Sequence, residues 1–173
     1  MRRLPARTLP LAGMAIALWA QSAAPPEKPF TPKPPPEQPL PFSHKTHVAA
    51  GVRCLDCHTI KTPGDHAGIP AEAVCMGCHA TVKADSPAIR KLAAYAGERE
   101  RVPWVRIYKL PKMVYFSHQI HYKESGVDCA VCHGEVAERE ALGQEKSVAM
   151  ADCMRCHDQH KAPNGCDVCH DAH

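Results

Sequence analysis

Hydrophobic and polar positions divide the chain into stretches of different kinds. Arg2, Arg3 and Arg7 precede an apolar run from Leu9 to Ala20, and the small residues Ser22, Ala23 and Ala24 follow it. A basic start, a short apolar run and a small-residue site form the order of a secretory signal, so residues 1–24 read as a signal peptide. The run holds about 12 residues, including Pro10, where a bilayer span needs roughly 20. Cleavage is therefore expected, with retention as an uncleaved N-terminal anchor as the alternative. With no cysteine near residue 20, a lipoprotein is excluded. Residues 25–41 carry nine prolines and read as a linker. Such a stretch favours polyproline II at about 3.1 Å per residue, a semi-rigid spacer of roughly 50 Å. It suits a tether to a membrane or larger complex, or a disordered leader.

From Phe42 onward the pattern repeats. Phe42-Ser43-His44-x-x-His47 with Gly51-Val52-x-Cys54 returns as Phe116-Ser117-His118-x-x-His121 with Gly126-Val127-x-Cys129, one residue longer before its glycine. Two matching stretches about 74 residues apart argue for duplication. They divide the chain into modules 42–84 and 116–173, joined by 85–115. In the joining stretch Ser86 and Pro87 supply an N-cap and a first-turn proline, predicting a helix through Tyr95 that stops at Gly97. Val102 to Tyr115 is apolar and extended in character, and Pro103 and Pro111 forbid a regular helix there. Glu135–Leu142 and Lys146–His157 are short helix candidates. No stretch makes a convincing strand, so the expected fold is mostly irregular with short α-helices.

Composition sharpens this. Only nine of 173 residues are aromatic and the mean hydropathy is −0.32, which leaves little for an ordinary core. The formal charge of +3 includes three leader arginines, so the mature balance is 18 basic against 18 acidic residues. No basic surplus for nucleic acid remains.

The chemistry lies in the ten cysteines. All fall in five Cys-x-x-Cys-His units: Cys54/Cys57/His58, Cys75/Cys78/His79, Cys129/Cys132/His133, Cys153/Cys156/His157 and Cys166/Cys169/His170. A lone Cys-x-x-Cys serves equally as half a zinc site, a redox dithiol or a disulfide. Zinc and iron–sulfur sites do not need histidine directly after every pair. By residue frequencies, chance would put it there five times about once in a million. Two thiols at this spacing add to the two vinyl groups of one heme, and the histidine becomes the fifth ligand of its iron. The reading is five covalently bound heme c groups, two in the first module and three in the second. About 30 residues then serve each heme, so the porphyrins must supply the buried apolar surface, with Trp104, Ile107, Tyr108 and Val114 packing on their faces. Because c-type hemes are attached outside the cytoplasmic membrane, the expected location is periplasmic, with membrane association through a partner or a retained N-terminus.

Seven histidines remain: His44, His47, His66, His118, His121, His160 and His173. Each His-x-x-His pair lies on one helical turn, and its rings can reach different hemes. Phe-Ser-His-x-x-His followed by Gly-Val-x-Cys-x-x-Cys-His resembles the multiheme cytochrome c3/c7 superfamily. Residues 116–173 are similar in size and spacing to a whole c7-type domain. The two-heme module, the Pro103-Trp104-Val105-Arg106-Ile107-Tyr108 linker and Val114-Tyr115-Phe116-Ser117-His118 resemble more narrowly the pentaheme subunit of alternative complex III and related membrane oxidoreductase complexes. The resemblance implies distal ligation by His44 at the Cys54/Cys57 heme and by His47 at the Cys75/Cys78 heme. It likewise implies His118 at the Cys129/Cys132 heme and His121 at the Cys153/Cys156 heme. For the fifth iron, Met150 stands where some c7-type domains place a distal methionine. His160 is the alternative, with His66, His173 or an open position behind them.

Irons closed on both sides offer no position for substrate, so the expected activity is electron relay rather than catalysis. The resemblance implies a quinol-oxidising or molybdopterin/iron–sulfur complex on one side and a downstream cytochrome on the other. The rival is a small multiheme reductase acting on nitrite, sulfite or metals through one open heme. Against it, all five motifs end in histidine and the chain is short.

Overall fold

The computed structural model describes residues 29–170 except residue 63. The signal-peptide reading of residues 1–24, and His173, fall outside the described residues. Among the described residues seven α-helices occur in order: α1 (His44–Ala49), α2 (Cys54–Cys57), α3 (Glu72–His79), α4 (Pro87–Glu98), α5 (Cys129–His133), α6 (Met150–His160) and α7 (Cys166–Cys169). A π-helix (Gln119–Glu124) precedes α5 and a 3-10 turn (Val136–Glu138) follows it. Among the described residues, strand pairing amounts to one isolated bridge, Lys33 with Gln144.

The two copies of the repeat fold alike, with one informative difference. In the first, Ser43 Oγ accepts the Thr46 N–H and starts α1, and the Val52 N–H closes back onto the His47 carbonyl at 3.1 Å. In the second, Ser117 Oγ accepts the Ile120 N–H, and the Val127 N–H closes onto the His121 carbonyl at 2.9 Å. The extra residue between His121 and Gly126 is absorbed by widening the turn: the Ser125 N–H bonds the carbonyl five residues back, on Ile120, the π-helical step. Gly51 and Gly126 end the two segments at φ +88° and +68°, the left-handed region where a Cβ is disfavoured.

Helix α4 begins as the sequence predicts, with Ser86 Oγ accepting the Ile89 N–H and proline in the first turn. It runs past Gly97 and stops at Arg99, which takes the left-handed cap at φ 58°. Gly97 keeps helical geometry because the Glu100 N–H closes the final turn onto the Tyr95 carbonyl. The expected helix over Glu135–Leu142 shrinks to the 3-10 turn. There Glu145 folds back to accept the Glu135 N–H and to pair with the Arg139 guanidinium, closing a loop instead. The expected helix over Lys146–His157 starts later and ends later, as α6. Tyr108 Oη takes the Glu145 and Lys146 N–H groups, and Ser147 Oγ takes that of Ala149; Lys161 ends α6 at φ 54°.

The proline-rich stretch is docked rather than projecting as a spacer, at least from Lys33 onward. The Lys33 N–H donates to the Gln144 carbonyl at 2.8 Å, Gln38 exchanges two 2.9 Å hydrogen bonds with Val105, and Lys91 Nζ reaches the Pro39 carbonyl. Gly143 lets the strap come this close, since a Cβ there would strike the Lys33 carbonyl. Leu40, 4 % exposed, ends the strap between Leu92 and Val102. These three are the buried hydrophobic residues among those described, with Trp104, Ile89, Tyr95, Met76 and Cys75 around them. Trp104 thus packs on this small core and edge-on to Phe42, 6.2 Å away. Sixteen large hydrophobics among the described residues lie exposed, Val74, Val131 and Ile120 included. A chain this poor in buried side chains lacks the interior that a stable domain requires.

Candidate functional site

Every Cys-x-x-Cys unit sits on a helical turn, which puts residues i and i+3 on one face. Local sequence fixes several of these turns. Arg53 and Asp56 form a capping box with side chain and backbone at the start of α2, and Asp128 Oδ1 caps α5 by accepting the Ala130 N–H at 2.8 Å. All ten cysteines are unpaired. Burial pushes the Cys57, Cys75, Cys129, Cys132 and Cys153 thiols up, the opposite of an activated redox dithiol. Among the described residues no three His, Cys, Asp or Glu side chains converge on one point, as a closed zinc site would demand.

The histidines gather in pairs instead. His44 faces His58 with ring centres 6.4 Å apart and planes 11° from parallel. His118 faces His133 at 6.3 Å and 7°. His47 and His79 stand 6.1 Å apart at 68°, and His121 and His157 stand 6.0 Å apart at 36°. Two imidazoles on opposite sides of one metal, each bonded at about 2.0 Å with about 1.1 Å more from nitrogen to ring centre, have centres about 6.2 Å apart. Each pair joins one motif histidine to one histidine of a His-x-x-His turn.

Tautomers agree with this. His47 and His121 donate Nδ1–H to the carbonyls of Ser43 and Ser117 at 2.7 and 2.8 Å. His58 donates to Gly68, His79 to Val82, His118 to Gly64 and His157 to Pro163, all within 3.0 Å. In all six the Nε2 lone pair is left for a metal, as when an outer partner orients a ligating imidazole. Burial holds the His44, His118 and His133 rings below the ordinary imidazole value, favouring the neutral form that can ligate. Phe42 orders the first turn, edge-on to His44 at 4.9 Å and stacked on His47 at 4.4 Å; Phe116 does the same for His118 and His121 at 4.7 and 4.6 Å.

The residues thus fit heme: thiol pairs on one face, imidazole pairs at axial spacing, and exposed apolar side chains for a porphyrin to cover. The profile of the family described as cytochrome c7 and related cytochrome c matches residues 40–95 and 114–172. The chain belongs to this family. It is a multiheme c-type cytochrome, an electron carrier with covalently bound heme. It is also 34% identical, over 91% of its own length and 87% of the other's, to a protein of Nitratidesulfovibrio vulgaris (strain Hildenborough) named menaquinone reductase, multiheme cytochrome c subunit.

The other candidates fall at different places in this cytochrome. Met150 opens α6, 65 % exposed, and His160 closes the same helix, also exposed. His170 follows α7. His66 is engaged through both nitrogens, Nδ1 with Asp65 at 2.7 Å and Nε2 with Arg106 at 2.6 Å. It ties the first module to the connecting segment.

Two residues hold positions whose partners the sequence did not reveal. Tyr108 lies edge-on to His133 at 4.5 Å and donates its hydroxyl to the His133 carbonyl. Glu72, 6 % exposed, accepts the Val102 N–H at 2.9 Å and faces Arg101 at 3.6 Å. Tyr108 sits in the run expected to pack on heme, but nothing local marks Glu72. No helix among the described residues is long and apolar enough to cross a membrane.

Proposed function

We propose that this cytochrome is exported, holds five heme c groups, and relays electrons as a subunit or partner of a membrane-bound quinone oxidoreductase complex. The observation that carries the reading is the set of four imidazole pairs at 6.0–6.4 Å. His58, His79, His133 and His157 would hold four irons as the motif ligands, each paired with His44, His47, His118 and His121 in that order. His170 is the proximal ligand of the fifth. When bound, the group supplies a one-electron ferric/ferrous couple. At four sites the paired histidines would hold the iron from both sides and exclude substrate and water from it, and in six of these histidines an Nδ1 hydrogen bond fixes the ring orientation.

For the fifth iron, α6 supports Met150. Asn164 Nδ2 donates to the Met154 carbonyl at 3.1 Å, holding the segment that leads into Cys166 against α6, and Met150 lies one helical turn before Cys153. His160 stands two turns beyond Cys153. A thioether–iron charge-transfer band in the near-infrared spectrum of the oxidised protein is expected, and its absence would assign His160 instead.

The similarity to a menaquinone reductase subunit supports a quinone-linked complex as one partner, with a downstream cytochrome as the other. Carbon monoxide separates relay from reductase. The reduced protein should bind none at neutral pH, whereas one equivalent bound per chain would establish an open heme and the reductase alternative.

A further inference from the structure

Numbered I to V by their cysteines in chain order, the five hemes need not be arranged in that order. We infer that they form a single row running II–I–III–IV–V, so that the heme on Cys75/Cys78 and the heme on Cys166/Cys169 are its two ends. This rests on the proposed ligation and adds the sequence of contacts along it.

Sites I and II share α1. His44 and His47 lie one turn apart with Phe42 against both rings, and the Cys57 thiol approaches Cys75. Sites I and III share the loop after α2. His58 donates to the Gly68 carbonyl at 2.7 Å, while His118 donates to the Gly64 carbonyl from its backbone N–H at 2.7 Å and from Nδ1 at 3.0 Å. The thiols of Cys54 and Cys129 meet directly across the two modules, and His58 approaches His133. Further ties cross the same seam, from Thr62 to Gln119 and from Lys123 to the Ile60 carbonyl. Sites III and IV repeat the geometry of I and II, with His118 and His121 around Phe116 and Cys132 close to Cys153 and Cys156. Sites IV and V share the loop after α6, where His157 donates Nδ1–H to the Pro163 carbonyl at 2.6 Å and Asn164 Nδ2 donates to the Met154 carbonyl at 3.1 Å, just before Cys166.

Site II leads elsewhere. Beyond α3, its residues Cys75 and His79 meet Cys57, His47 and Arg101, and Cys75 packs on the Leu40–Leu92–Val102 core. Site I, first in the chain, is therefore interior to the row and joins the modules; site II, second in the chain, is an end. Electrons enter or leave through II and V.

An electron placed on one iron lowers the midpoint potentials of its neighbours, and the effect falls with separation. The test is an NMR-monitored redox titration of the intact holo-protein, with each heme assigned through its own cysteines and histidines. The expected result is that reducing I shifts the midpoints of II and III most, that reducing IV shifts III and V most, and that II responds to I more than to any other. A larger response of II to III, IV or V, or of I to V than to III, would overturn the order. The same spectra show whether five hemes with the proposed axial ligands are present, so failure of the ligation is distinguishable from failure of the row.

Discussion

The Glu72 carboxylate joins the helix that carries Cys75, Cys78 and His79 to the connecting segment, and its worth can be estimated. It is nearly inaccessible, it accepts the backbone N–H of Val102, itself 5 % exposed, and its other oxygen faces Arg101. Replacing it with alanine strands a buried N–H. A hydrogen bond to a charged acceptor contributes about 1.5–3 kcal/mol, and an unsatisfied buried donor costs a similar amount. Because the Arg101 side chain is half exposed, its ion pair adds at most about 1 kcal/mol. Glu72→Ala should therefore lower stability by about 2–3 kcal/mol. Glu72→Gln keeps an acceptor for Val102 and loses only the charge, so it should cost about 1 kcal/mol or less. Guanidinium unfolding of the holo-protein, followed by far-ultraviolet circular dichroism and by the Soret band, measures both, since covalent hemes stay on the unfolded chain. Equal losses for the two variants would refute the reasoning, because the charge and not the hydrogen bond would then dominate.

Other consequences are as direct. Leu40→Ala should cost about 2–5 kcal/mol by the same assay and loosen the strap, while Leu40→Met should cost less than about 1.5 kcal/mol; an unchanged midpoint for the alanine variant would mean the strap is not packed. His44→Ala, which opens the position facing His58, should turn a reduced protein that binds no carbon monoxide into one that binds about one equivalent. Acid should destabilise the molecule in a definite window. Burial holds the distal His44 and His118 rings below the ordinary value of 6.5, and binding to iron keeps them neutral in the folded holo-protein, so the unfolded chain takes up protons before the folded one does. Stability is then full above 6.5 and falls as pH drops through it. Unfolding midpoints well above and about one unit below that value should show the loss; equal midpoints would contradict it.

Covalent spacing made the thiol pairs and imidazole pairs of the candidate site legible in the sequence. Two thiols three residues apart and an adjacent histidine allow little freedom, and the repeat around Phe42 and Phe116 marked which histidines could stand opposite. The Ser86 cap and Pro87 marked the start of α4 for the same local reason. Boundaries set by distant partners were not legible. Nothing near Glu135 announces that Glu145 will close a loop on it, and nothing near Lys146 shows that its N–H belongs to Tyr108, 38 residues away. Proline content gives the backbone of the strap but not its docking, which depends on Gly143, Val105 and Leu92 far along the chain. The one-residue insertion before Gly126 was visible as a length difference, but its conversion into a π-turn appears only in the hydrogen bonds.

If the imidazole pairs and thiol pairs belong to porphyrins, those porphyrins replace the missing core. The most direct test is the mass of the matured protein measured after denaturation, because thioether-linked heme survives unfolding and a coordinated metal ion does not. The expected mass is that of the polypeptide plus five heme groups. A mass equal to the bare chain, or one that returns to it on denaturation as with zinc, would contradict it.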